Sequence, residues 1–219
     1  MIKTFKDITL LWALRSPCNL DCVYCYYGCS DDKLEEKSQA SYELNHSGKT
    51  DIEFDKILHF ASIIDSKIVK RIFITGGEPL NYSETLKLIE ILKNKGCEVV
   101  VCTNGLALTN EKINNFLIDI DIDAISVSLD TTNYVVNDKW RRDYSGRGGK
   151  EVMKGLHEAI NNRNKKGSKT KIGVYSVITK ETILEIIKTF SDLSKMNIDY
   201  FIFQPVSLNN SSVIFHSIC

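Results

Sequence analysis

The sequence predicts an α/β fold of six strands that alternate with helices, arranged as an open doubly wound sheet or as a partial or complete barrel. Short apolar runs rich in β-branched and aromatic residues recur along the chain, and stretches with apolar residues at helical spacing separate them. Strands linked in this way pair in parallel, and six units are too few for a complete eight-stranded barrel. With 219 residues, 43% of them hydrophobic, the chain can bury one core, and we expect a single domain over 1–219.

The elements follow one another in a regular order. The first strand is the apolar run 8–14, and the polar stretch 26–50 predicts a long surface loop. The next helix carries apolar residues at helical spacing from Phe54 to Ile64, and Thr50 with Glu53 indicates a capping box at its start. The remaining elements are strand 71–75, helix 84–95, strand 98–102, helix 110–119, strand 124–130, helix 149–164, strand 171–178, helix 181–196 and strand 200–204. The six units end at about residue 205, and the short tail 206–219 has no convincing crossover helix, which indicates a fragment or a truncated member.

Composition removes several classes of function. The 28 basic and 28 acidic residues cancel, so there is no overall electrostatic basis for binding nucleic acid or an anionic membrane. The apolar run at the N-terminus lacks a signal-peptide cleavage site, and no stretch approaches the ~20 apolar residues of a membrane-spanning helix. We therefore expect a cytoplasmic protein, in which the seven cysteines are thiols or metal ligands rather than disulfides.

Three cysteines lie close together directly after the first strand. Cys18, Cys22 and Cys25 have the spacing C-x3-C-x2-C, and thiolates at this density favour an iron-sulfur cluster or zinc. Three protein ligands would leave one iron of a 4Fe-4S cluster open to an exogenous ligand. The alternative is a zinc knuckle or a fully ligated electron-transfer cluster, in which Cys29 supplies the fourth thiolate.

A glycine pair follows the second strand. Gly76 and Gly77 precede Glu78 and Pro79, and bare backbone at a strand end lets a ligand approach closely, while the carboxylate can accept hydrogen bonds from an ammonium group. Taken alone, this segment favours an ordinary strand-to-helix turn, which Gly and Pro also produce. Its place one strand after the cysteines favours a shared site.

Together these two motifs resemble those of the radical S-adenosylmethionine (radical SAM) superfamily. The resemblance rests on C-x3-C-x2-C with an aromatic residue, Tyr24, before the last cysteine, followed in order by Gly-Gly-Glu-Pro. It extends over about residues 7–205 and implies a partial (β/α)6 barrel of the TIM type with a cluster loop at 15–29. The residues of the cysteine motif and of the Thr-Asn-Gly segment are similar to those of one branch of the superfamily, which contains molybdenum-cofactor synthases and peptide and sulfatase maturases.

The resemblance also implies roles for individual residues. Cys18, Cys22 and Cys25 would bind the 4Fe-4S cluster, Tyr24 would contact adenine mainly through its backbone, and the segment from Gly76 to Pro79 would hold the methionine end of S-adenosylmethionine. The further candidates at strand ends are Thr103, Asn104, Ser128 and Asp130 for the methionine moiety and the ribose, Arg141 (with Arg142 as competitor) for the cofactor carboxylate, and Ser176 and Gln204 for the adenine side and the ribose. Each of these is also explained by a cap, a turn or a solvated surface.

The activity that the resemblance implies is reductive cleavage of S-adenosylmethionine to a 5'-deoxyadenosyl radical, which abstracts hydrogen from a peptide or a small metabolite. An electron donor such as flavodoxin or ferredoxin would supply the electron. The alternatives are a non-catalytic four-thiolate iron-sulfur or zinc protein on an α/β scaffold, and a truncated member that does not turn over. The sequence carries no motif that identifies the substrate.

Overall fold

A curled half-barrel of six parallel strands forms the centre of the protein, in a computed structural model that describes residues 7–25, 51–143 and 147–206. The strands lie side by side in chain order: β1 (Ile8–Ala13), β3 (Val69–Thr75), β4 (Glu98–Thr103), β5 (Ala124–Ser128), β7 (Lys171–Ile178) and β8 (Tyr200–Pro205). A separate two-residue antiparallel pair joins β2 (Asp21–Cys22) to β6 (Arg141–Arg142). The predicted α/β class and the six parallel strands are confirmed, and the arrangement is the partial barrel.

The helices connect successive strands. They are α1 (Phe54–Ile63), α2 (Ser83–Asn94), α3 (Glu111–Asp119), α4 (Tyr134–Trp140), α5 (Gly148–Lys166) and α6 (Thr182–Ser194), with short 3-10 turns at Pro79–Asn81 and Leu106–Thr109. The short helix α4 and the pair β2–β6 were not predicted. The predicted capping box is wrong, because α1 begins at Phe54 with Glu53 itself in the N-cap position and no side-chain cap. Thr50, the loop 26–50 with Cys29, and the tail from 207 with Cys219 lie outside the described residues.

The hydrophobic core lies between the helices and one face of the sheet. Alternate strand residues are fully buried there, among them Ile72, Ile74, Val99, Val101, Ile125, Val127, Ile172 and Val174. The helices contribute Leu88, Ile89 and Leu92 from α2 and Leu156, Ala159 and Ile160 from α5. The near-continuous apolar strands therefore reflect a parallel sheet that is covered by helices.

The intervening strand residues line a cavity of about 950 Å³ on the concave side of the sheet. Towards the amino ends of the strands its wall carries charged side chains, such as the ion pair of Arg71 with Glu98 at 2.6 Å. Towards the carboxyl ends the wall carries Cys102, Ser128 and Tyr175. All six strands are parallel, so their carboxyl ends share one rim, and the loops that follow the strands meet there.

Within the described residues, no helix is long and apolar enough to cross a membrane.

We expect Leu88→Ala to lower the free energy of unfolding by about 2–5 kcal/mol, because it leaves a cavity in the core where Leu88 is 0% exposed. Leu184→Ala is the matched control, since that side chain is 83% exposed on α6, and we expect a change within about 0.5 kcal/mol. Urea denaturation followed by circular dichroism measures both. Equal losses in the two variants would show that the core does not lie between α2 and the sheet.

Candidate cofactor site

The cysteine loop, residues 15–25, is docked on the rim by the glycine pair. The backbone N–H of Gly77 donates to the carbonyl of Arg15 at 2.7 Å, and that of Glu78 donates to the carbonyl of Pro17 at 3.0 Å. A Cβ at Gly77 would lie 2.1 Å from the Pro17 oxygen, and a Cβ at Gly76 would lie 2.5 Å from the Arg15 oxygen. Gly76 also has a φ of +127°, which L side chains rarely adopt. The bare backbone that the sequence indicated is therefore in contact with the chain's own loop.

The three thiols of this loop are partly buried and close enough to influence one another electrostatically. Burial raises the pKa of Cys18 to about 12, with further contributions from the carboxylate of Glu78 and from Cys25. Burial likewise raises the pKa of Cys22, although Arg141 opposes the shift. Thiols in such surroundings keep their protons unless a metal centre supplies positive charge, so the donor set fits a metal-sulfur cluster. Among the described residues, no three His, Cys, Asp or Glu side chains form a group that would hold a single metal ion.

Two N–H groups donate to the sulfur of Cys18. The backbone N–H of Leu20 lies 3.4 Å from its sulfur, and Nδ2 of Asn104 lies 3.9 Å from it. The same Nδ2 donates to Oδ1 of Asn19 at 2.6 Å. The Thr-Asn-Gly segment at the end of β4 thus contacts the cysteine loop through the side chain of Asn104.

Glu78 is a fully buried carboxylate behind this contact. It accepts hydrogen bonds from Leu80 N at 3.0 Å, from Thr103 Oγ1 at 2.8 Å and from Asn104 N at 2.6 Å. No ion pair joins it to a lysine or arginine within the described part of the chain. Burial raises its pKa to about 7 despite the three donors. The site therefore contains a carboxylate that lacks a cationic partner.

Asp130 joins the cysteine loop to the fourth and fifth parallel strands. Its Oδ1 accepts from Arg141 at 2.9 Å and from the backbone N–H of Val177 at 2.9 Å, and its Oδ2 accepts from the hydroxyl of Tyr24. Its own N–H donates to Oδ1 of Asn137 at 3.1 Å. One buried carboxylate therefore connects β5, α4, β6, β7 and the cysteine loop.

Arg141 is the buried member of the adjacent arginine pair, and its guanidinium lies 5.6 Å from the ring centre of Tyr24. Burial alone would lower its pKa, but Asp130, Tyr24 and Cys22 together raise it, so the side chain stays charged. Its Nε is buried and has no hydrogen-bond partner among the described residues. A cation with an unused donor suits a carboxylate ligand.

The remaining predicted residues differ in whether they contact the cysteine loop or the Asp130–Arg141 pair. Ser128 lines a small cavity together with Asn104 and Arg141. Ser176 is fully buried and donates to the carbonyls of Leu129 and Asp130, both at 2.8 Å, so that its hydroxyl is engaged within the protein. Pro79 begins the 3-10 turn after Glu78, and Gln204 accepts from Tyr175 on the exposed part of the sheet. No described contact joins Gln204 to the cysteine loop.

Asp51 is a site residue that the sequence reasoning missed. Its carboxylate accepts from the backbone N–H of Ser16 at 2.9 Å, from the Ser16 hydroxyl at 3.1 Å and from Nε of Arg15 at 3.4 Å. It therefore holds the segment before Cys18 through side-chain and backbone hydrogen bonds. The partners are 35 and 36 positions apart in sequence, so no local pattern indicates the contact.

A parallel half-barrel whose first strand leads into a three-thiol loop at the carboxyl rim defines a cofactor-binding α/β protein. The family model of the radical SAM superfamily matches residues 17–191. The chain belongs to the radical SAM superfamily, and the resemblance stated from the two motifs is confirmed.

Two curated relatives illustrate this membership. Fe-coproporphyrin III synthase of Methanosarcina barkeri is 28% identical over 197 residues, which are 88% of this chain and 42% of the relative. Probable GTP 3',8-cyclase of Methanococcus maripaludis (strain C5) is 31% identical over 151 residues, which are 68% of this chain and 44% of the relative. The chain thus spans less than half the length of these relatives.

Among solved structures, SuiB of Streptococcus suis bound to S-adenosylmethionine superposes with a TM-score of 0.67. The match covers 94% of this chain and 42% of that chain at 16% identity. The same protein bound to its precursor peptide SuiA gives a TM-score of 0.64 at 19% identity, over 93% of this chain and 40% of that chain. At these identities the likeness shows a shared fold.

The stability of the metal-free protein should fall as pH rises from about 4.5 to about 7, because folded Glu78 keeps a proton that the unfolded chain has released. The full effect is roughly 3 kcal/mol, from the difference between the two pKa values. Urea denaturation at several pH values measures the slope. Glu78→Gln should remove that part of the slope whatever its effect on absolute stability, and an unchanged slope would contradict the prediction.

Asp130→Asn should lower the free energy of unfolding by about 3–5 kcal/mol, because the buried Arg141 loses its counter-charge. Glu158→Gln is the control: its carboxylate lies 4.0 Å from Lys154 on an exposed helix face, where a charge pair contributes about 0.5 kcal/mol or less. Denaturation of both variants under identical conditions gives the comparison. A loss at Asp130 no larger than that at Glu158 would show that Asp130 does not stabilise Arg141.

Proposed function

We propose that this chain is a radical SAM enzyme that binds a 4Fe-4S cluster through Cys18, Cys22 and Cys25 and reductively cleaves S-adenosylmethionine. Membership of the radical SAM superfamily supports both the cluster and the reaction. The observation that carries it is the grouping of three thiols in one loop docked on the carboxyl rim. Radical SAM proteins with S-adenosylmethionine bound share the fold.

The cysteine loop fits such a cluster on chemical grounds. Three soft thiolates suit iron-sulfur ligation, and the two N–H donors at Cys18 stabilise a thiolate there. A reduced cluster held there would supply the one electron needed for cleavage of the C5'–S bond of S-adenosylmethionine to methionine and a 5'-deoxyadenosyl radical. The protein's own part is to place the thiols and to orient the cofactor.

Two charged groups are suited to the two ends of the methionine moiety. Glu78 is a buried carboxylate without a cationic partner in the described part of the chain, which favours an ammonium group as its ligand. Arg141 has a buried, unused Nε that favours a carboxylate. We assign the amino group to Glu78, together with Gly76, Gly77 and Pro79 around it, and the carboxylate to Arg141.

The other candidates support the cofactor from nearby. Thr103 and Asn104 fix Glu78, while Asp130 and Tyr24 fix Arg141. We propose Ser128 as a direct contact, because it shares a small cavity with Asn104 and Arg141. Ser176 and Gln204 remain proposals for the adenine side and the ribose, with no contact to the thiols to support them.

We infer that the substrate is a peptide or a small biosynthetic intermediate that enters the concave cavity. The carboxyl end of its described wall carries hydroxyl, thiol and apolar groups. The SuiB structure with its precursor peptide offers a peptide as the first substrate class to test. A flavodoxin or ferredoxin is proposed as electron donor, and the cytoplasm as the location.

Anaerobic reconstitution with iron and sulfide tests the function. We expect the reduced cluster to give an electron paramagnetic resonance spectrum that changes when S-adenosylmethionine is added, and dithionite to produce 5'-deoxyadenosine. Alanine substitution of Cys18, Cys22 or Cys25 should each reduce cluster iron and 5'-deoxyadenosine at least about tenfold, because each removes a ligand. Cys97→Ala is the control, since this buried thiol donates to the Val69 carbonyl and lies away from the cysteine loop.

A wild-type spectrum that S-adenosylmethionine leaves unchanged, with no 5'-deoxyadenosine formed, would overturn the proposal. Loss of the cluster in Cys29→Ala would instead support a four-thiolate site. Retention of the cluster and of 5'-deoxyadenosine formation in that variant is the expected result.

A further inference from the structure

We propose that Asn104 sets the reduction potential of the cluster by donating a hydrogen bond from Nδ2 to the sulfur of Cys18. This inference rests on the proposed function, because it concerns the cluster that Cys18 would ligate. It assigns Asn104 a positioning and tuning role toward the cluster in addition to the cofactor contacts considered above. The carrying observation is the 3.9 Å approach of the amide nitrogen to the thiol.

The orientation of the Asn104 amide is determined by its other contacts. Its Oδ1 accepts from the backbone N–H of Leu106 at 3.1 Å, so the amide NH2 must point the opposite way, towards the cysteine loop. Its backbone N–H donates to Glu78 at 2.6 Å, which holds the residue in place at the end of β4. The side chain is buried, so water does not compete strongly for these groups.

Both amide hydrogens have a separate acceptor. One is directed to Oδ1 of Asn19 at 2.6 Å, and the other is available to the sulfur of Cys18. In the metal-free thiol, the sulfur is itself oriented towards Asn19 at 4.0 Å. Once iron replaces the thiol proton, the sulfur is only an acceptor and carries more negative charge, so the contact from Asn104 strengthens.

The effect on the cluster follows from charge. Reduction adds an electron, and part of the added charge resides on the ligating sulfurs. An N–H donor stabilises that charge, so hydrogen bonds to the sulfurs raise the reduction potential. The other donor to this sulfur is the backbone N–H of Leu20, which a side-chain substitution does not remove. Asn104 is therefore the donor that a substitution can test.

The test is a redox titration of the reconstituted full chain without S-adenosylmethionine, followed by electron paramagnetic resonance. Asn104→Leu removes the donor without adding charge, and we expect the ratio of reduced to oxidised cluster at a fixed potential to fall about tenfold, which is ~59 mV for a one-electron couple. Asn104→Asp keeps an acceptor for Leu106 and should shift the potential in the same direction. Resonance Raman should show Fe–S(Cys) stretching bands at higher frequency in both variants.

Asn19→Leu is the matched control. Like Asn104→Leu, it removes the hydrogen bond between Asn19 and Asn104, but it leaves the Asn104 donor to the sulfur of Cys18 intact. We expect its potential to stay at the wild-type value or to rise. An equal fall in Asn19→Leu and Asn104→Leu would assign the effect to loop packing and overturn the inference, as would an unchanged potential in both Asn104 variants. A wild-type chain that binds no cluster would overturn the proposed function itself, whereas a normal wild-type cluster with unshifted variants would overturn only the role of Asn104.

Discussion

The docking of the cysteine loop on bare backbone is the contact on which the site depends. Gly76 and Gly77 follow β3 without side chains, and the N–H groups of Gly77 and Glu78 donate to the carbonyls of Arg15 and Pro17. Because β1 and β3 are neighbouring parallel strands, the loop that leaves β1 crosses the end of β3 at once. Asp51 holds the same segment through the backbone N–H of Ser16. The segment before Cys18 is therefore held both by backbone hydrogen bonds from the end of β3 and by a carboxylate.

Two buried carboxylates then divide the site into regions of different charge. Glu78 has three hydrogen-bond donors but no lysine or arginine partner among the described residues, and burial raises its pKa to about 7. Asp130 has Arg141 at 2.9 Å and a donor from β7, so its charge is compensated within the protein. Within the described residues, the first carboxylate has no cationic partner, and the second holds a cation whose Nε has no hydrogen-bond partner. These are the two regions that we propose for the ammonium and carboxylate ends of the methionine moiety.

Much of this arrangement could be predicted from local signals. Apolar runs and helical periodicity located all six parallel strands, and the spacing of Cys18, Cys22 and Cys25 located the loop. The glycine pair was assigned to a close approach, although the partner proved to be the chain's own loop. The contacts of Asp51 and the pairing of β2 with β6 could not be predicted, because they join residues far apart in sequence.

The sequence by itself determined the residue types: three thiols at a fixed spacing, glycines at a strand end, and strands that pair in parallel because helices separate them. Only the tertiary structure decided which partners these groups meet. It brought Asn104 to Cys18, buried Glu78 among three hydrogen-bond donors and buried Arg141 against Asp130. The physical reason is that burial and hydrogen-bond distances depend on how loops from several strands meet at one rim, which no local pattern encodes.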